Sequence, residues 1–313
     1  MDSNLNTSEI LVMGSGPAGC TAAIYAARAG RKTSLITGPH QGGQLMITSI
    51  IENFPGFPEP VSGPVLMDCM RRQAENFGVQ VLSDTIESVD FSNKKIKKCR
   101  GESGTSYEAA AIIVATGANA RWLGVSGEIT YRGAGVSACA TCDGFFFKNK
   151  NVAVVGGGNT AAEEAIFLTN FAKSVTLIHR KDSLRAEKIL QRRIFDNPKI
   201  NILWNSVVVA IDGDGKKVTG LLLKNVQDNS KSSLPMDGVF IAIGHQPATD
   251  IFVGQLALDD DGYIITDGRK TSVDGVFGAG DVCDKIYRQA ITSAGHGCSA
   301  ALEADAFCID INL

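Results

Sequence analysis

The 313-residue sequence lacks the features that mark several protein classes. Lys and Arg together (30) do not outnumber Asp and Glu (33), and the formal net charge is -3, so no basic excess points to nucleic acid. No apolar run approaches the ~18 residues of a membrane-spanning helix, and no basic lead-in with an apolar core marks a signal peptide. We therefore expect a cytoplasmic protein that acts on small molecules, with no nucleic-acid or membrane partner.

Clustered cysteine and histidine residues are also scarce. Only Cys139 and Cys142, in "ACATCDGFF", form a close pair, and the four histidines stand alone. A structural zinc site normally needs four ligands, and a cytosolic compartment disfavours a permanent disulfide. We therefore expect no metal and favour a pair that opens and closes during a reaction. The other cysteines are expected to be small buried hydrophobes: Cys20, Cys69, Cys99, Cys283, Cys298 and Cys308.

A reversible pair needs an electron source, and a glycine-rich turn near the start of the chain indicates one. "EILVMGSGPAGCTAAIYAARAG" runs from an apolar strand through Gly14, Gly16 and Gly19 into an alanine-rich helix. In dinucleotide-binding turns such glycines allow a tight bend, close approach of the pyrophosphate and helix packing, with the phosphates at the helix N-terminus. A single copy of this pattern could also be a turn without a ligand.

The pattern occurs a second time in "NVAVVGGGNTAAEEAIFL". Its three small residues are Gly156, Gly158 and Ala161. The strands that follow the two turns also correspond, because they reach Thr37 and His179, each 23 residues after its own first glycine. This duplication predicts an α/β protein with two Rossmann-like dinucleotide-binding domains.

The second unit carries a basic cluster where a dinucleotide unit often has an acid for the ribose. "HRKDSLR" places Arg180, Lys181 and Arg185 at that point, 24 to 29 residues after Gly156. Basic residues there suit a 2′-phosphate, which favours NADPH over NADH. The alternative is a solvated cluster at the start of a helix.

A third motif, "VFGAGDVCDKIYRQAITSAG", lies near the C-terminus. We expect a strand ending at Gly280 and Asp281, a short loop, and a helix beginning near Gln289 and Ala290. The positive end of such a helix suits a reduced flavin, which carries negative charge, and Asp281 could accept a hydrogen bond from a ribityl hydroxyl. The alternative is a capped C-terminal helix without a ligand.

Taken in order, the motifs resemble those of the low-molecular-weight, bacterial-type thioredoxin reductases over essentially the whole chain. The matching segments are "GSGPAG", "GGQL", "ENFPG", "ATGA", "GVSACATCDGFF", "GGGNTA", "HRKDSLRAEKIL", "AIGHQP", "GVFGAGDV" and "YRQAITSAG". The resemblance implies three-layer sandwiches with parallel sheets, an FAD-binding domain formed by residues 1–116 and 245–313, and an NADPH-binding domain at 117–244 that carries the cysteine pair. It further implies a homodimer in the cytoplasm that passes electrons from NADPH through FAD to thioredoxin.

The resemblance also implies the site residues. Cys139 and Cys142 are the redox-active pair and Asp143 the proton donor, with Cys142 expected to face the flavin. The implied cofactor contacts in the first part of the chain are Gly14, Ser15, Gly16, Pro17, Ala18, Gly19, Thr37, Gly38, Gly42, Gly43, Gln44, Leu45, Thr48, Asn53, Ala115, Thr116 and Gly117. In the remainder they are Gly156, Gly157, Gly158, Asn159, Thr160, His179, Arg180, Lys181, Arg185, Ile243, Gly244, Gly280, Asp281, Arg288, Gln289 and Ala290.

Two positions depart from the family pattern. Family members often carry a basic residue where this chain has Ala134, although Arg132 is close by, and a second arginine where it has Lys181, which keeps the charge but not the planar fork.

Four other functions are weighed against this reading. The reductase component of alkyl hydroperoxide reductase has an additional N-terminal redox domain, whereas only 13 residues precede Gly14. The glutathione reductase type has its cysteine pair soon after the first glycine turn, where this chain has only Cys20 and Cys69. A flavin-containing redox sensor, and a reductase of another small disulfide protein, for example one linked to peroxiredoxin, stay open.

Overall fold

The computed structural model describes residues 5–48 and 50–312 and divides into two compact units. One, here called the terminal unit, comprises Met1–Asn119 and Gln246–Leu313. The other, the inserted unit, comprises Ala120–His245. The α-helices are α1 (Pro17–Arg28), α2 (Gly63–Asn76), α3 (Ala140–Asp143), α4 (Asn159–Leu168), α5 (Lys188–Phe195) and α6 (Ala290–Asp310).

The strands up to the first glycine turn of the inserted unit are β1 (Leu5–Met13), β2 (Thr33–Ile36), β3 (Gln80–Leu82), β4 (Ile86–Asp90), β5 (Lys97–Gly101), β6 (Ser106–Val114), β7 (Ala118–Ala120), β8 (Val136–Ser137) and β9 (Asn151–Val155). The later strands are β10 (Ser174–Ile178), β11 (Ile200–Leu203), β12 (Ser206–Gly213), β13 (Val218–Asn225), β14 (Lys231–Pro235), β15 (Gly238–Ile241), β16 (His245–Pro247) and β17 (Val276–Gly278). The segments that join the units pair with each other as β7 and β16.

The terminal unit is built on a sheet with strand order β3-β2-β1-β6-β5-β4, and β17 also pairs with β6. Strand β1 is parallel to both of its neighbours, and its alternating side chains serve two cores. Ile10 and Val12 belong to the core that includes buried residues of α1 and α6, whereas Leu11 and Met13 belong to the core that includes Phe252. Burial on both faces explains why the second half of β1, residues 10–13, is a continuous apolar run.

The inserted unit contains a parallel sheet with strand order β11-β10-β9-β15-β8. Val152 and Val154 of β9 belong to a core shared with α4 and α5. Ala153 and Val155, on the opposite face, belong to a core shared with the antiparallel sheet β12-β13-β14. The unit is therefore three layers deep, with helices on one face of the parallel sheet and a second sheet on the other.

The predicted fold class, α/β with parallel sheets, is confirmed, but the predicted strand ends are slightly late. Strand β2 ends at Ile36 and not at Thr37, β10 ends at Ile178 and not at His179, and β17 ends at Gly278, before Gly280 and Asp281. Thr37 N and His179 N still donate to the neighbouring strands, to the carbonyl oxygens of Leu82 and Leu203. Gly280, whose φ is +78°, lies in the turn after β17. No helix within the described residues combines the length and the apolar character needed to cross a membrane.

Candidate active site

Cys139 and Cys142 form a disulfide within the inserted unit. Cys139 is the N-cap residue of α3 and Cys142 lies in its single turn, which brings their Cα atoms to 5.3 Å. Two residues between the cysteines give the spacing of one helical turn, and a disulfide can bridge Cα atoms at this distance. The pair stands at the surface, because Cys142 is exposed and Cys139 is partly buried.

Asp143 follows the pair directly and is partly buried. Burial raises the pKa of its carboxyl, while a hydrogen bond from Ser137 acts in the opposite direction. Its backbone N–H donates to the carbonyl oxygen of Cys139 at 3.1 Å, which fixes it to the turn that holds the disulfide. A carboxyl with a raised pKa beside a disulfide can hold a proton for a departing thiolate.

The first glycine turn lies in the terminal unit, between β1 and α1. Gly14 has a φ of +110°, and a β-carbon there would overlap the Ala115 carbonyl, while one on Gly19 would overlap the Gly14 carbonyl. Around Gly16, by contrast, no described protein atom lies within 4 Å of the position of a β-carbon. Gly16 is the N-cap of α1, and no side chain of a described residue caps it. The turn therefore presents free helix amides to an open space, which is the arrangement that binds phosphate.

The segment after β2 is fixed to this turn. Ser15 Oγ donates to the Thr37 carbonyl at 2.8 Å and accepts from Gly42 N at 2.9 Å. Gly43 passes so close that a β-carbon on it would lie 3.5 Å from Gly16 Cα. These contacts bring "GPHQGGQL" to the first glycine turn.

Other predicted contacts in the first part of the chain surround the same turn. Gln44 Nε2 donates to Asn119 Oδ1 at 2.6 Å. Thr116 Oγ1 donates to the Ala248 carbonyl at 2.8 Å. Leu45 lies in the 3₁₀ turn Gly43–Ile47, and Thr48 is its C-cap.

The C-terminal motif completes this side of the terminal unit. A β-carbon on Gly280 would come within 2.8 Å of the Ala18 side chain, so this turn packs on the first turn of α1. Burial raises the pKa of Asp281 to about 6. Ser293 Oγ donates a 2.8 Å hydrogen bond to its carboxyl, which lowers the pKa and partly offsets the effect of burial. Helix α6 begins at Ala290 as predicted. Asn53 Nδ2 donates to Gln289 Oε1 at 3.5 Å. This hydrogen bond links the N-terminus of α6 to the loop before α2.

The second glycine turn, in the inserted unit, has the same construction. Gly158 is the N-cap of α4, and no described protein atom lies within 4 Å of where its β-carbon would stand. A β-carbon on Gly157 would overlap the imidazole of His179, which is buried. Asn159 Oδ1 accepts from Glu187 N at 2.9 Å, and this bond ties the start of α4 to the start of α5. Thr160, in the first turn of α4, is partly buried.

The predicted basic cluster lies beside this second turn. Gly157 O accepts hydrogen bonds from Arg185 N at 2.7 Å and from Ala186 N at 3.2 Å. Arg180, Lys181 and Arg185 are exposed, and none of them forms a salt bridge within residues 5–48 and 50–312. Burial lowers the pKa of the neighbouring His179, and Arg185 and Arg180 lower it further. Three uncompensated cations beside an open helix N-terminus suit a phosphate-bearing ligand.

The structure corrects the expected burial of Cys69 and shows that Arg132 is engaged in other contacts. Cys69 is exposed and is not a buried hydrophobe, because it lies on a solvent-facing side of α2; Cys20, Cys99 and Cys308 are buried, and Cys283 and Cys298 are partly buried. Arg132 does not stand free as a substitute for a basic side chain at Ala134. Its guanidinium lies over the Trp122 ring at 3.8 Å from the centroid and 3.9 Å from the buried Glu128 carboxylate.

Sequence reasoning missed two hydroxyl residues, Ser137 and Ser293, that bond to acidic site residues. Each lies in a quoted motif, "GVSACATC" or "AITSAG", yet serine is too common in turns and helices to signal a site alone. The only available signal was its proximity to Asp143 or to the C-terminal helix.

Comparison with known proteins agrees with this geometry. The sequence profile of the family described as "Pyridine nucleotide-disulphide oxidoreductase" matches residues 8–297, which defines the class: flavoproteins that use a nicotinamide cofactor. A thioredoxin reductase of Rickettsia felis is 57% identical over 305 residues, 96% of this chain and 98% of the relative. One of Streptomyces coelicolor is 52% identical over 301 residues, covering 95% and 93%.

Solved structures give the same result. The thioredoxin reductase of Giardia duodenalis superposes with a TM-score of 0.93 at 40% identity, covering 97% of this chain and 99% of that one. The enzyme of Streptococcus pyogenes MGAS5005 gives 0.92 at 42% identity, covering 98% and 100%. The chain therefore belongs to the thioredoxin reductases of the pyridine nucleotide-disulphide oxidoreductase family.

Proposed function

We propose that this chain is a thioredoxin-disulfide reductase that takes electrons from NADPH, passes them to a bound FAD, and uses the Cys139–Cys142 disulfide to reduce thioredoxin. The observation that carries the proposal is the surface disulfide with Asp143 beside it, in a chain that also contains two glycine turns whose helix N-termini face open space. A disulfide and two dinucleotide sites together serve electron transfer, because each nucleotide supplies one carrier.

The terminal unit, with FAD as its ligand, is the proposed flavin domain. FAD is favoured over a mononucleotide because the turn at Gly14 to Gly19 is a pyrophosphate-binding arrangement. Residues of the 37–48 segment, Asn53 and the 280–290 segment would hold the remainder of the molecule, since the contacts described above bring them to this turn. Asp281, with a pKa near 6 in the free protein, is an acceptor suited to a ribityl hydroxyl.

The inserted unit is the proposed NADPH domain. Its second turn would hold the pyrophosphate, and Arg180, Lys181 and Arg185 the 2′-phosphate. The cations make no ion pair within the described chain, so no carboxylate of those residues lies within salt-bridge distance of them. An NADH site would place an acid at this point, which favours NADPH here.

Thiol chemistry is assigned to three residues. FAD, when bound and reduced by NADPH, would supply the two electrons that open the disulfide. Opening breaks the S–S bond and leaves two thiolates, one of which takes a proton from Asp143. The remaining thiolate attacks one sulfur of oxidised thioredoxin, forming a mixed disulfide, and the second thiol then displaces reduced thioredoxin and restores Cys139–Cys142.

A protein substrate is supported by the surface beside the disulfide. Phe145 and Phe146 follow the pair and are 58% and 38% exposed. Phe145 packs edge to face on Phe171, with the ring centroids 6.1 Å apart, so it is held in place although it faces solvent. Exposed, ordered aromatic side chains are typical anchors of protein interfaces.

A homodimer is the proposed assembly, through the exposed face of α6. This face carries an apolar stripe at helical spacing: Ile291, Gly295, Cys298, Leu302, Ala306 and Ile309. The stripe has no charged residue, so it can pack on its own copy across a two-fold axis. Leu302, 57% exposed, lies in the middle of the stripe. Sedimentation of Leu302→Asp should yield monomers, whereas a persistent dimer would place the interface elsewhere.

The activity is tested with purified protein, NADPH, oxidised thioredoxin and a thiol reagent that reports free thiols. A yellow protein that is bleached by NADPH and then turns over with thioredoxin supports the proposal. Stoichiometric bleaching without turnover would favour a redox sensor, and turnover only with another disulfide protein would move the substrate assignment. A colourless protein that binds no added FAD would contradict the flavin assignment.

A further inference from the structure

The turn at Thr37 and Gly38, directly after β2, is held from two sides. On one side, Thr37 N donates to the carbonyl oxygen of Leu82 at 3.0 Å. Gly38 N donates to the carbonyl oxygen of Asp84, also at 3.0 Å. On the other side, Ser15 Oγ donates to the Thr37 carbonyl oxygen at 2.8 Å. The first glycine turn and the segment that ends at Asp84 therefore set the position of this turn together.

Asp84, the residue that accepts from Gly38, is itself fixed through its carboxylate. Asp84 Oδ1 accepts from Thr85 N at 2.8 Å and from Ser103 N at 3.2 Å. Asp84 Oδ2 accepts from Ser103 Oγ at 2.5 Å and from the Tyr107 hydroxyl at 2.7 Å. Because a carboxylate has about four acceptor positions, these hydrogen bonds occupy them. The side chain is thus an anchor within the protein and not a contact for a ligand.

Burial and charge strengthen this anchor. Burial raises the pKa of the Tyr107 hydroxyl to about 12, and the hydrogen bond to Asp84 raises it as well, so Tyr107 is a donor at neutral pH. Burial tends to raise the pKa of Asp84, but the hydrogen bonds from Ser103, Tyr107 and Thr85 outweigh it and lower the pKa. A β-carbon on Gly101 would overlap the Asp84 carboxylate, so the turn between β5 and β6 is closely packed around it.

The turn at Thr37 and Gly38 lies where a dinucleotide-binding unit contacts the adenosine ribose. An acid after the second strand commonly hydrogen-bonds that ribose. Strand β2 ends at Ile36, and this chain has Thr37 and Gly38 at that point in place of an acid. Gly38 has a φ of +74°, a conformation that favours glycine. A ribose bound here would therefore depend on where the backbone of the turn lies.

We propose that Asp84 is a positioning residue for FAD. The hydrogen bonds of its carboxylate with Ser103 and Tyr107 fix the Asp84 backbone. The carbonyl of that backbone in turn holds Gly38 where the adenosine half of FAD would bind. The inference rests on the proposed function, in which the terminal unit binds FAD, and it adds residues that lie outside the glycine-rich and C-terminal cofactor motifs.

Three variants test the proposal. Asp84→Ala removes the anchoring carboxylate, and Tyr107→Phe removes one donor to it while keeping the buried ring. The matched control is Asp90→Ala. Asp90 ends β4 in the same unit and accepts from Ser92 N at 3.0 Å and from Ser92 Oγ at 2.6 Å, two residues along the chain. The control therefore removes a similar carboxylate that holds its own turn and not the turn at Gly38.

Titration of the flavin-free full chain with FAD, followed by flavin fluorescence, gives the first readout. Asp84→Ala should raise the dissociation constant for FAD by at least about tenfold, the order expected when hydrogen bonds to a charged group are lost. Tyr107→Phe should raise it by about threefold, since the other donors to the carboxylate remain. Asp90→Ala should bind FAD as the wild type does.

Competition by ADP, which carries only the adenosine half, gives the second readout. The inhibition constant of ADP against FAD should rise in Asp84→Ala by about the same factor as the dissociation constant for FAD. Binding of FMN, which lacks the adenosine half, should be equal in Asp84→Ala and the wild type. An FMN affinity that falls as much as that for FAD would contradict a role at the adenosine ribose.

Thermal unfolding of the flavin-free variants separates positioning from stability. If Asp84→Ala unfolds at a lower temperature but binds FAD and ADP as tightly as the wild type, the network only stabilises the fold and the inference is wrong. If Asp84→Ala does not fold, Tyr107→Phe decides, because an unchanged affinity for FAD would overturn the inference. A wild type that binds no FAD would overturn both this inference and the proposed flavin domain.

Discussion

The carbonyl oxygen of Gly157 accepts hydrogen bonds from the backbone of Arg185 and Ala186, so the loop that bears the basic cluster is fixed to the glycine turn. The backbone of this loop thus fixes the basic cluster relative to the glycine turn, the two parts of the proposed nucleotide site. Phosphates on the turn and a 2′-phosphate at the arginines could then be bound by one rigid structure.

Replacing Arg180 and Arg185 together with alanine should raise the Michaelis constant for NADPH by at least about tenfold, because charge-assisted hydrogen bonds to the 2′-phosphate are lost. The constant for NADH, which lacks that phosphate, should hardly change. Arg192→Ala is the control, since this exposed arginine lies on α5 away from the turn. Equal losses with both nucleotides would show that the cluster serves folding.

Two glycines offer a matched pair of tests. Gly16 and Gly158 have ordinary φ values of -70° and -95°, and a β-carbon on either would meet no described protein atom within 4 Å. Gly16→Ala should therefore fold normally but lose flavin, while Gly158→Ala should keep flavin and bind NADPH weakly. Absorbance of the purified protein and NADPH titration measure the two effects. Full flavin in Gly16→Ala would place the pyrophosphate elsewhere.

The pH dependence of stability tests Asp281. Burial raises its pKa from 3.8 to about 6 in the flavin-free protein. Because the pKa is raised in the folded state, the contribution of Asp281 to the free energy of unfolding is complete below about pH 4. It is lost as the pH rises through 6, which lowers the free energy of unfolding by about 3 kcal/mol. Flavin-free Asp281→Asn should thus unfold at a higher temperature than wild type at pH 7.5, with the difference gone by about pH 4.

Asp259→Asn is the control of opposite sign. Burial tends to raise the pKa of Asp259, but Lys285 and two backbone N–H groups outweigh it and lower the pKa. Its contribution is present at neutral pH, so Asp259→Asn should destabilise there. If Asp281→Asn also destabilises the flavin-free protein at pH 7.5, the ionised Asp281 carboxylate is stabilised in the folded state, and its pKa is not raised as burial predicts.

Cysteine variants distinguish the role of the disulfide from that of the flavin. Cys139→Ser and Cys142→Ser should each abolish thioredoxin reduction while NADPH still bleaches the flavin. Cys69→Ser, which changes an exposed cysteine outside the pair, should keep wild-type turnover. The Cys139/Cys142 couple should lie within a few tens of millivolts of the roughly -270 mV of thioredoxin, and a couple near about -120 mV would contradict electron flow towards thioredoxin.

The glycine turns, their helices and the parallel strands could be predicted because local pattern determines them. Gly14 and Gly19 must be glycine, since side chains there would overlap backbone. The buried second half of β1 and strand β9 appear as apolar runs. The start of α6 at Ala290 was also predicted, because "YRQAITSAG" changes from loop to small-residue helix at that point.

The antiparallel strands and the hydrogen bonds between distant segments could not be predicted in this way. Strands β12, β13 and β14 form one antiparallel sheet that covers the parallel sheet. This arrangement depends on contacts between residues far apart in the sequence, such as those of Leu221 in the shared core. The link from Ser15 to Thr37 spans 22 residues. The stacking of Arg132 on Trp122 likewise depends on where two side chains meet, which the order of residues does not reveal.

Anaerobic titration of the flavin-loaded protein with NADPH tests the central claim most directly, that flavin and disulfide form one electron path. The wild type should consume about two equivalents of NADPH per chain, because the flavin and the disulfide each take two electrons. Cys142→Ser should consume about one. If the wild type is fully reduced by about one equivalent and no thiols appear at Cys139 and Cys142, the disulfide is not on the path and the proposed reductase mechanism is wrong.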